Sequence, residues 1–155
     1  MSDAVAIRRL HALPAELASL RAASEAEGFN MLAVLEREWT SGAQRFHSDN
    51  ATLFGAFAPA LVGIAGLTPD PYDPSPALGR LRRCYVHPSA RRGGIGRALV
   101  QAVIQEARRQ RLEALRLRAP PAAFAFYEAL GFARLDAPRA THLLSLRRPP
   151  LNPSP

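Results

Sequence analysis

The chain contains no lysine and only one cysteine, Cys84, and each absence excludes a class of site. Without lysine there is no Walker A sequence, which requires Gly-Lys-Ser/Thr to hold a nucleotide phosphate. A single cysteine cannot form an internal disulfide, and no Cys/His set with the spacing of a metal site is present. No apolar run approaches the roughly 20 residues that span a bilayer, and the first residues show no signal-peptide pattern. We therefore expect a cytoplasmic protein with neither a membrane partner nor a metal.

The 155 residues carry a formal net charge of +7, and because lysine is absent every basic residue is an arginine. A positive charge of this size suits nucleic acid, an acidic acceptor or a phosphate-rich cofactor. The arginines are spread along the chain, whereas a nucleic-acid surface would group them on one face with interleaved aromatics. We therefore expect no nucleic-acid partner, and salt-sensitive binding to random DNA would contradict this.

The length and a hydrophobic content of 48% are those of one folded domain. We assign residues 1–148 to this domain and predict that the proline-rich end, 149–155, is disordered. Apolar periodicity, glycine and proline predict a mixed order of strands and helices. The predicted strands are 5–10, 52–57, 61–67, 78–86, 115–118, 132–135 and 141–146, and the predicted helices are 14–27, 31–39, one from about Arg97, and 122–130. Prolines make 68–76 a loop, either a lid or a rigid spacer.

The stretch from Tyr85 to Val100, YVHPSARRGGIGRALV, joins a strand to a helix through a glycine-rich loop. Such a loop directs backbone N–H groups at one point, where the dipole of the following helix favours negative charge. Glycine lets an anion approach these amides and adopts the left-handed angles that such loops use. Arg91, Arg92 and Arg97 add guanidinium groups suited to phosphate oxygens. The stretch therefore predicts a pyrophosphate-binding loop.

A dinucleotide-binding fingerprint is a weaker explanation, because Leu99 stands where its third small residue belongs and no acidic partner follows the next strand. The sequence Arg91-Arg92-Gly93-Gly94-Ile95-Gly96 instead resembles the R/Q-x-x-G-x-G/A motif of the GNAT superfamily of acyl-CoA-dependent N-acyltransferases. A strand ending in Val86-His87-Pro88 and the downstream FYEALGF, residues 126–132, resemble the same superfamily. The resemblance covers nearly the whole chain and is sharpest from 81 to 132.

This resemblance implies an α/β GNAT fold, in which a mixed, mostly antiparallel central sheet splays between its fourth and fifth strands and is flanked by helices. It also implies acetyl-CoA as co-substrate, with no metal. The pantetheine arm would pair with the strand before the loop, and the loop and helix start would hold the pyrophosphate. The residues implied to bind the cofactor are Cys84, Tyr85, Val86, Arg91, Arg92, Gly93, Gly94, Ile95, Gly96, Arg97 and Ala98.

For chemistry, the resemblance implies transfer of an acetyl group to a primary amine by direct attack in a ternary complex. Tyr127 takes the family's aromatic position near the thioester sulfur, where a phenol can protonate the leaving thiolate as general acid. The alternative is a tyrosine that only packs in a core with Phe126 and Phe132. A covalent route through Cys84 is a further alternative, although no base lies near it in sequence.

The general base is not identified by the sequence. Many members of the superfamily carry a glutamate on the strand before the loop, but residues 78–84 contain no carboxylate. An asparagine that contacts the pantetheine arm in relatives is also missing, near Pro120. His142 is a candidate base because imidazole can take a proton at neutral pH. The other candidates are Glu27, Glu38, Asp70, Asp73 and His87.

Acceptor recognition in this superfamily usually involves the first two helices, their connection and the final strands. Trp39, Arg45 and Phe46 surround a flexible turn there, and we predict that they bind the substrate. A cationic Arg45 would suit a carboxylate or phosphate on a small-molecule or peptide amine. Dimers are common in the superfamily, so a homodimer is expected. A longer acyl group, a protein acceptor, or a non-catalytic acyl-CoA-binding module are the open alternatives.

Overall fold

The computed structural model describes residues 5–147, so the predicted disordered tail at 149–155 lies outside the described residues. The elements follow the predicted order, with seven strands in one sheet. The strands are β1 (Ala6–Arg9), β2 (Thr52–Phe57), β3 (Leu61–Pro69), β4 (Leu78–Val86), β5 (Ala114–Leu117), β6 (Ala133–Ala137) and β7 (Ala140–Ser145). The helices are α1 (Leu17–Ala26), α2 (Met31–Ser41), α3 (Ile95–Arg109) and α4 (Phe124–Ala129).

The sheet has the strand order β1-β2-β3-β4-β5-β7-β6. Short connections join β2 to β3 and β6 to β7, and both pairs are antiparallel, as the sequence predicts. Only β4 and β5 run parallel, because α3 carries the chain back across the sheet between them. This arrangement is the predicted mixed, mostly antiparallel α/β sheet.

A split opens between β4 and β5. The two strands pair only through Leu78–Arg80 and Ala114–Arg116, so residues 81–86 of β4 have β3 as their strand neighbour on one side alone. A β-bulge lies at the start of this unpaired stretch, where two residues of β4 oppose one residue of β3 and Arg83 has φ 57°. The predicted splay between the fourth and fifth strands is therefore confirmed.

Two hydrophobic clusters cover the two faces of the sheet. On one face, which we call the α3 face, Val100, Val103, Ile104 and Ala107 are buried at the predicted i, i+3, i+4, i+7 spacing. On the other, the α1/α2 face, the buried leucines of both helices pack against the sheet. Each fully buried leucine or valine contributes about 1.5–3 kcal/mol, so the faces are held independently.

Some boundaries differ from the predicted ones. α3 begins at Ile95 rather than Arg97, because Gly94 caps it in the left-handed conformation and Ile95 is buried, with 7% of its surface exposed. α1 begins at Leu17 because the preceding residues form a turn closed on the carbonyl of Pro14. A short 3₁₀ turn, Pro121–Ala123, precedes α4 in place of one helix from 122 to 130.

Candidate active site

The loop between β4 and α3 has the backbone of an anion-binding site. Arg92 and Gly94 both adopt positive φ, 68° and 81°, as in loops whose successive amides point at one anion. Within residues 5–147 no group accepts a hydrogen bond from the N–H of Gly94, Ile95, Gly96 or Arg97. These amides lie at the positive end of the 15-residue α3, whose first turn holds no acidic residue. A phosphate group therefore fits this position.

The remaining predicted loop residues differ in what they offer a ligand. The amide of Ala98 donates to the carbonyl of Gly94 at 3.0 Å and is not free, and the side chain of Ile95 is buried in the core. Gly93 is exposed. A Cβ at Gly96 would lie 3.3 Å from the ring of Phe126, whereas one at Gly94 would enter open space. Gly96 is thus required for packing, and Gly94 for its backbone angle and the open space beside it.

The three arginines of the loop are not equivalent. Arg91 donates to both carboxylate oxygens of Glu27, at 2.9 and 2.6 Å, and its Nε donates to the carbonyl of Val86 at 3.1 Å. Its guanidinium also lies 5.5 Å from the centre of the Tyr85 ring. Arg92 and Arg97 are exposed. Arg91 is therefore fixed to the end of α1, while Arg92 and Arg97 remain available to a phosphate.

Tyr85 extends the network around Glu27 across the α1/α2 face. Its hydroxyl donates to Oε1 of Glu27 at 2.5 Å. Burial and this hydrogen bond raise the pKa of Tyr85 to about 12. The hydrogen bonds from Arg91 and Tyr85 in turn lower the pKa of Glu27. The side chain of Tyr85 is therefore a structural anchor that joins β4 to the end of α1.

The cleft-side edge of β4 is open beside the loop. Cys84, Tyr85 and Val86 lie in the stretch that β5 does not pair, so no strand occupies the cleft side of this edge, although the carbonyl of Val86 accepts from Nε of Arg91. A Cβ at Gly63 or Gly96 would lie 3.4 or 3.6 Å from the side chain of Val86, which places this side chain on the α3 face. An extended ligand can therefore pair with this edge as an additional strand and end at the amides of α3.

Tyr127 lies at the other wall of the split, on α4. It is buried, with 7% of its surface exposed, and its ring packs edge-to-face on Phe126 and Phe132 at 4.9 and 5.7 Å between ring centres. Its phenol interacts with the thiol of Cys84, and burial, followed by this interaction, raises the pKa of Tyr127 well above its ordinary value. The residue thus packs in the core and also holds a protonated hydroxyl beside a sulfur on β4. Packing of Tyr127 in the core, which was the alternative to a catalytic role, is therefore compatible with its predicted role as general acid.

His142 lies on β7 and is completely buried. Its Nε2 is 2.7 Å from Oε2 of Glu128, and its Nδ1 is 2.9 Å from the hydroxyl of Thr141. The hydrogen bonds from His142 and then Arg134 lower the pKa of Glu128. Neither ring nitrogen is free to take a proton from an amine, so the structure does not favour His142 as the base. Its catalytic role stays a prediction.

Each of the other base candidates already has a partner. Asp70 is buried between two arginines, Glu38 binds Arg83, and Nδ1 of His87 accepts from the amide of Ser89. Asp73 accepts from the amide of Ser75, and Glu27 is bound as described above. Within residues 5–147 every base candidate therefore has at least one hydrogen-bond or ion-pair partner. Burial raises the pKa of the Cys84 thiol, which is the reverse of what an activated nucleophile requires.

A comparison with protein families matches the chain to the Acetyltransferase (GNAT) family over residues 15–132. The match includes the loop, the split and Tyr127. This protein belongs to the GNAT acetyltransferase family. A comparison with curated proteins gave no match. The function of this GNAT protein is therefore argued from its own site.

Solved structures with the same fold cover nearly all of the chain. A candidate acetyltransferase from Exiguobacterium sp. 255-15 superposes with a TM-score of 0.82 and 28% identity, over 92% of this chain and 93% of that one. A candidate GNAT acetyltransferase from Desulfovibrio desulfuricans gives 0.75 and 22%, over 93% and 100%. The PaiA N-acetyltransferase from Thermoplasma acidophilum, solved in complex with coenzyme A, gives 0.65 and 18%, over 92% and 99%. These similarities confirm the predicted fold.

The three residues predicted to bind the acceptor are packed around the end of α2. Phe46 is buried and stacks on Trp39 with 6.4 Å between ring centres. Arg45 is exposed, and its Nε donates at 2.7 Å to the carbonyl of Trp39, which also accepts from the amide of Gly42 at the end of the helix. Each residue therefore has a structural task, and their binding role stays a prediction.

Two further properties of the described residues bear on the site. Within residues 5–147, no group of three or more His, Cys, Asp and Glu side chains has the arrangement of a metal site. In the same range, no helix has the length and apolar content needed to cross a membrane.

Proposed function

We propose that this GNAT protein is an N-acetyltransferase that transfers an acetyl group from acetyl-CoA to a primary amine of a small molecule or peptide. One observation carries the proposal: the split in the sheet brings together unpaired amides at the start of α3, an open edge of β4 and the buried phenol of Tyr127. The unpaired amides suit a diphosphate, and the open edge of β4 suits an extended pantetheine arm. The buried phenol suits a thioester sulfur. Acetyl-CoA supplies the acetyl group and the thiolate that leaves.

The binding residues act through the backbone. The amides from Gly94 to Arg97 would hold the diphosphate, with Arg92 and Arg97 as exposed cations beside it. The backbone of Cys84 to Val86 would align the arm along β4 by strand pairing. The bulge at Arg83 interrupts the regular pairing of β4 with β3, which resumes at Tyr85. The reactive end of the cofactor would therefore lie near the bulge.

Tyr127 acts as general acid. Because burial raises its pKa, the phenol stays protonated throughout the neutral range and can donate to a departing thiolate. A thiol with a pKa of about 8.5 is a stronger acid than this phenol, so the Tyr127 hydroxyl assists by hydrogen bonding and by partial proton donation as the thiolate forms. General acid catalysis of this kind contributes roughly 10²–10⁴-fold.

The acceptor amine loses its proton to water in this proposal. Each of the six base candidates of the sequence has a partner within residues 5–147, so the proposal assigns none of them as the base. The rate should then rise with pH up to the pKa of the acceptor itself. Two acceptor amines of different pKa should give pH–rate profiles whose midpoints differ by the difference between the two pKa values. If both acceptors gave the same midpoint, the titrating group would instead be a base of the enzyme.

The test is thiol release from acetyl-CoA with a panel of primary amines, combined with calorimetric titration of CoA. We expect CoA to bind, thiol release to depend on the amine, and Cys84→Ala to retain activity, as direct attack requires. An acetyl group found on Cys84 by mass spectrometry would contradict the ternary complex. Binding of CoA without thiol release for any amine would favour the alternative, a non-catalytic acyl-CoA-binding module.

A further inference from the structure

The α1/α2 face of the sheet is strongly basic where β4 and β5 separate. Five guanidinium groups and two carboxylates lie close together there. They are connected by ion pairs, by cation–π contacts with Tyr72 and by charge interactions between neighbouring side chains. The arginines are Arg80, Arg82, Arg83, Arg116 and Arg139, and the carboxylates are Asp70 and Glu38. We call this group the arginine cluster. Its surplus of positive charge favours an anion at this face.

Four of the five arginines already have partners. The buried carboxylate of Asp70 accepts from Arg80 at 3.3 Å and from Arg116 at 3.0 Å. Arg80 also donates to the carbonyl of Arg139, and the guanidinium groups of both lie about 5 Å from the ring of Tyr72. Arg83 donates to Glu38 at 2.7 Å. These arginines hold β4, β5, α2 and the proline-rich loop together.

Arg82 is the exception in the arginine cluster. Within residues 5–147 its guanidinium has no hydrogen-bond acceptor and no ion pair, although the side chain is half-buried. Burial and the neighbouring charge of Arg83 lower its pKa, which measures how poorly the charge is compensated. A guanidinium in this position gains from any anion that reaches it, because charge-assisted hydrogen bonds are the stronger kind.

Arg82 also lies where an acceptor must approach. It follows Arg80, the last residue of β4 that pairs with β5, by two positions and so lies on the same face of the strand. The opposite face of the split is filled by the apolar cluster of α3 and α4, including Tyr127. The face that carries Arg82 is therefore the side on which a charged second substrate meets polar groups.

We propose that Arg82 binds an anionic group of the acceptor, so that the preferred acceptors are amines that carry a carboxylate or phosphate. The inference depends on the proposed acetyl transfer and names the substrate class of that site. It assigns to Arg82 the role that the sequence suggests for Arg45, whose guanidinium is held by α2. Arg82 is a specificity-determining residue here and takes no part in the proton transfers.

The experiment compares matched acceptors by thiol release, with each rate divided by the fraction of acceptor in the neutral amine form: amino acids against their amides, and aminoalkyl phosphates against the corresponding amino alcohols. The two pairs distinguish a carboxylate from a phosphate as the recognised group. We expect kcat/KM for the anionic member of at least one pair to be about tenfold higher or more. Arg82→Gln should lower kcat/KM for that acceptor about 10- to 100-fold and change the neutral member little. Arg82→Lys should restore part of the preference.

Arg108→Gln is the control, because it removes the same charge from an exposed position on α3. It should leave the preference unchanged. Equal rates for both members of each pair in the wild-type protein would overturn the inference and leave the proposed function intact, and this comparison requires no variant. The inference would also be overturned if Arg82→Gln lowered kcat/KM equally for the anionic and the neutral acceptor of a pair. Absence of thiol release with every amine would instead refute the proposed function.

Discussion

The two faces of β4 differ sharply in chemistry although they belong to one strand. Towards α3 the strand presents Leu81, Cys84 and Val86 to an apolar cluster that includes Tyr127. Towards α1 and α2 it presents Arg82, Arg83 and Tyr85 to carboxylates and to each other. The bulge allows two successive arginines to share a face. In the proposed reaction, the thiolate would leave on the apolar face of this strand and the amine would approach from the charged face.

We expect the largest effect on activity from a substitution in the apolar cluster that β4 faces, at Tyr127. Tyr127→Phe removes only the hydroxyl, so the edge-to-face packing is kept while the acid is lost. We expect kcat to fall about 100- to 1,000-fold while the dissociation constant of acetyl-CoA changes less than about threefold. Steady-state kinetics with calorimetry would measure both. Tyr72→Phe, which keeps its ring between two arginines, is the control. An unchanged kcat in Tyr127→Phe would remove the acid role.

On the charged face the largest effect should be on folding. Asp70 is the buried carboxylate shared by Arg80 and Arg116, so Asp70→Asn leaves two guanidinium groups without their counter-charge. We expect the free energy of unfolding to fall by about 3–5 kcal/mol. Denaturant unfolding would measure the change. Asp73→Asn removes a charge from the same loop but can still accept from Ser75, so it should cost far less. An equal loss of unfolding free energy in the two variants would contradict the role of Asp70 as the shared counter-charge of Arg80 and Arg116.

The loop beside β4 can be tested with two glycines of nearly identical backbone. Gly94 has φ 81° and ψ 7°, and Gly42, at the end of α2, has φ 82° and ψ 4°. Alanine should cost roughly 1–2 kcal/mol of folding free energy at either position, because both are left-handed. Only Gly94→Ala should also weaken CoA binding, by about tenfold, because its Cβ would hold the diphosphate away from the amides. Equal CoA affinity in the two variants would contradict the assignment.

The smallest effect should come from the ion pair that ties the loop to α1. Glu27→Gln removes a negative charge beside Arg91 and should tighten CoA binding about two- to fivefold at low salt, because Arg91 no longer has a competing carboxylate. The gain should disappear at high salt. Glu25→Gln, on the same helix but paired with Arg21, should leave affinity unchanged. Weaker binding in Glu27→Gln would show that Glu27 orients Arg91 instead.

The sequence predicted the apolar face of the split better than the charged face. The glycine loop and the buried stripe of α3 depend on local spacing, and the structure contains both. The role of Tyr127 came from the family resemblance and stays a prediction. The splay of β4 from β5 came from the family resemblance and is confirmed. On this face two boundaries differ from the predicted ones: α3 begins at Ile95 rather than Arg97, and a 3₁₀ turn occupies the start of the helix predicted at 122–130.

The charged face could not be predicted because its contacts join distant parts of the chain. Asp70 with Arg116, Glu38 with Arg83 and Glu27 with Arg91 are separated by 46, 45 and 64 residues. One signal was present: the alternation of β4 breaks at Arg82-Arg83, where two charged residues follow each other, and this is where the bulge lies. The interruption of a period-two pattern could have indicated that both arginines face one side.

The central claim is that the amides of α3 and the open edge of β4 together hold an acyl-CoA. Calorimetric titration with CoA and, separately, with pantetheine, which lacks the diphosphate and the nucleotide attached to it, tests it most directly. The account predicts saturable binding of CoA and at least about 100-fold weaker binding of pantetheine, since two or more charge-assisted hydrogen bonds are lost. No binding of CoA, or equal binding of both ligands, would contradict it.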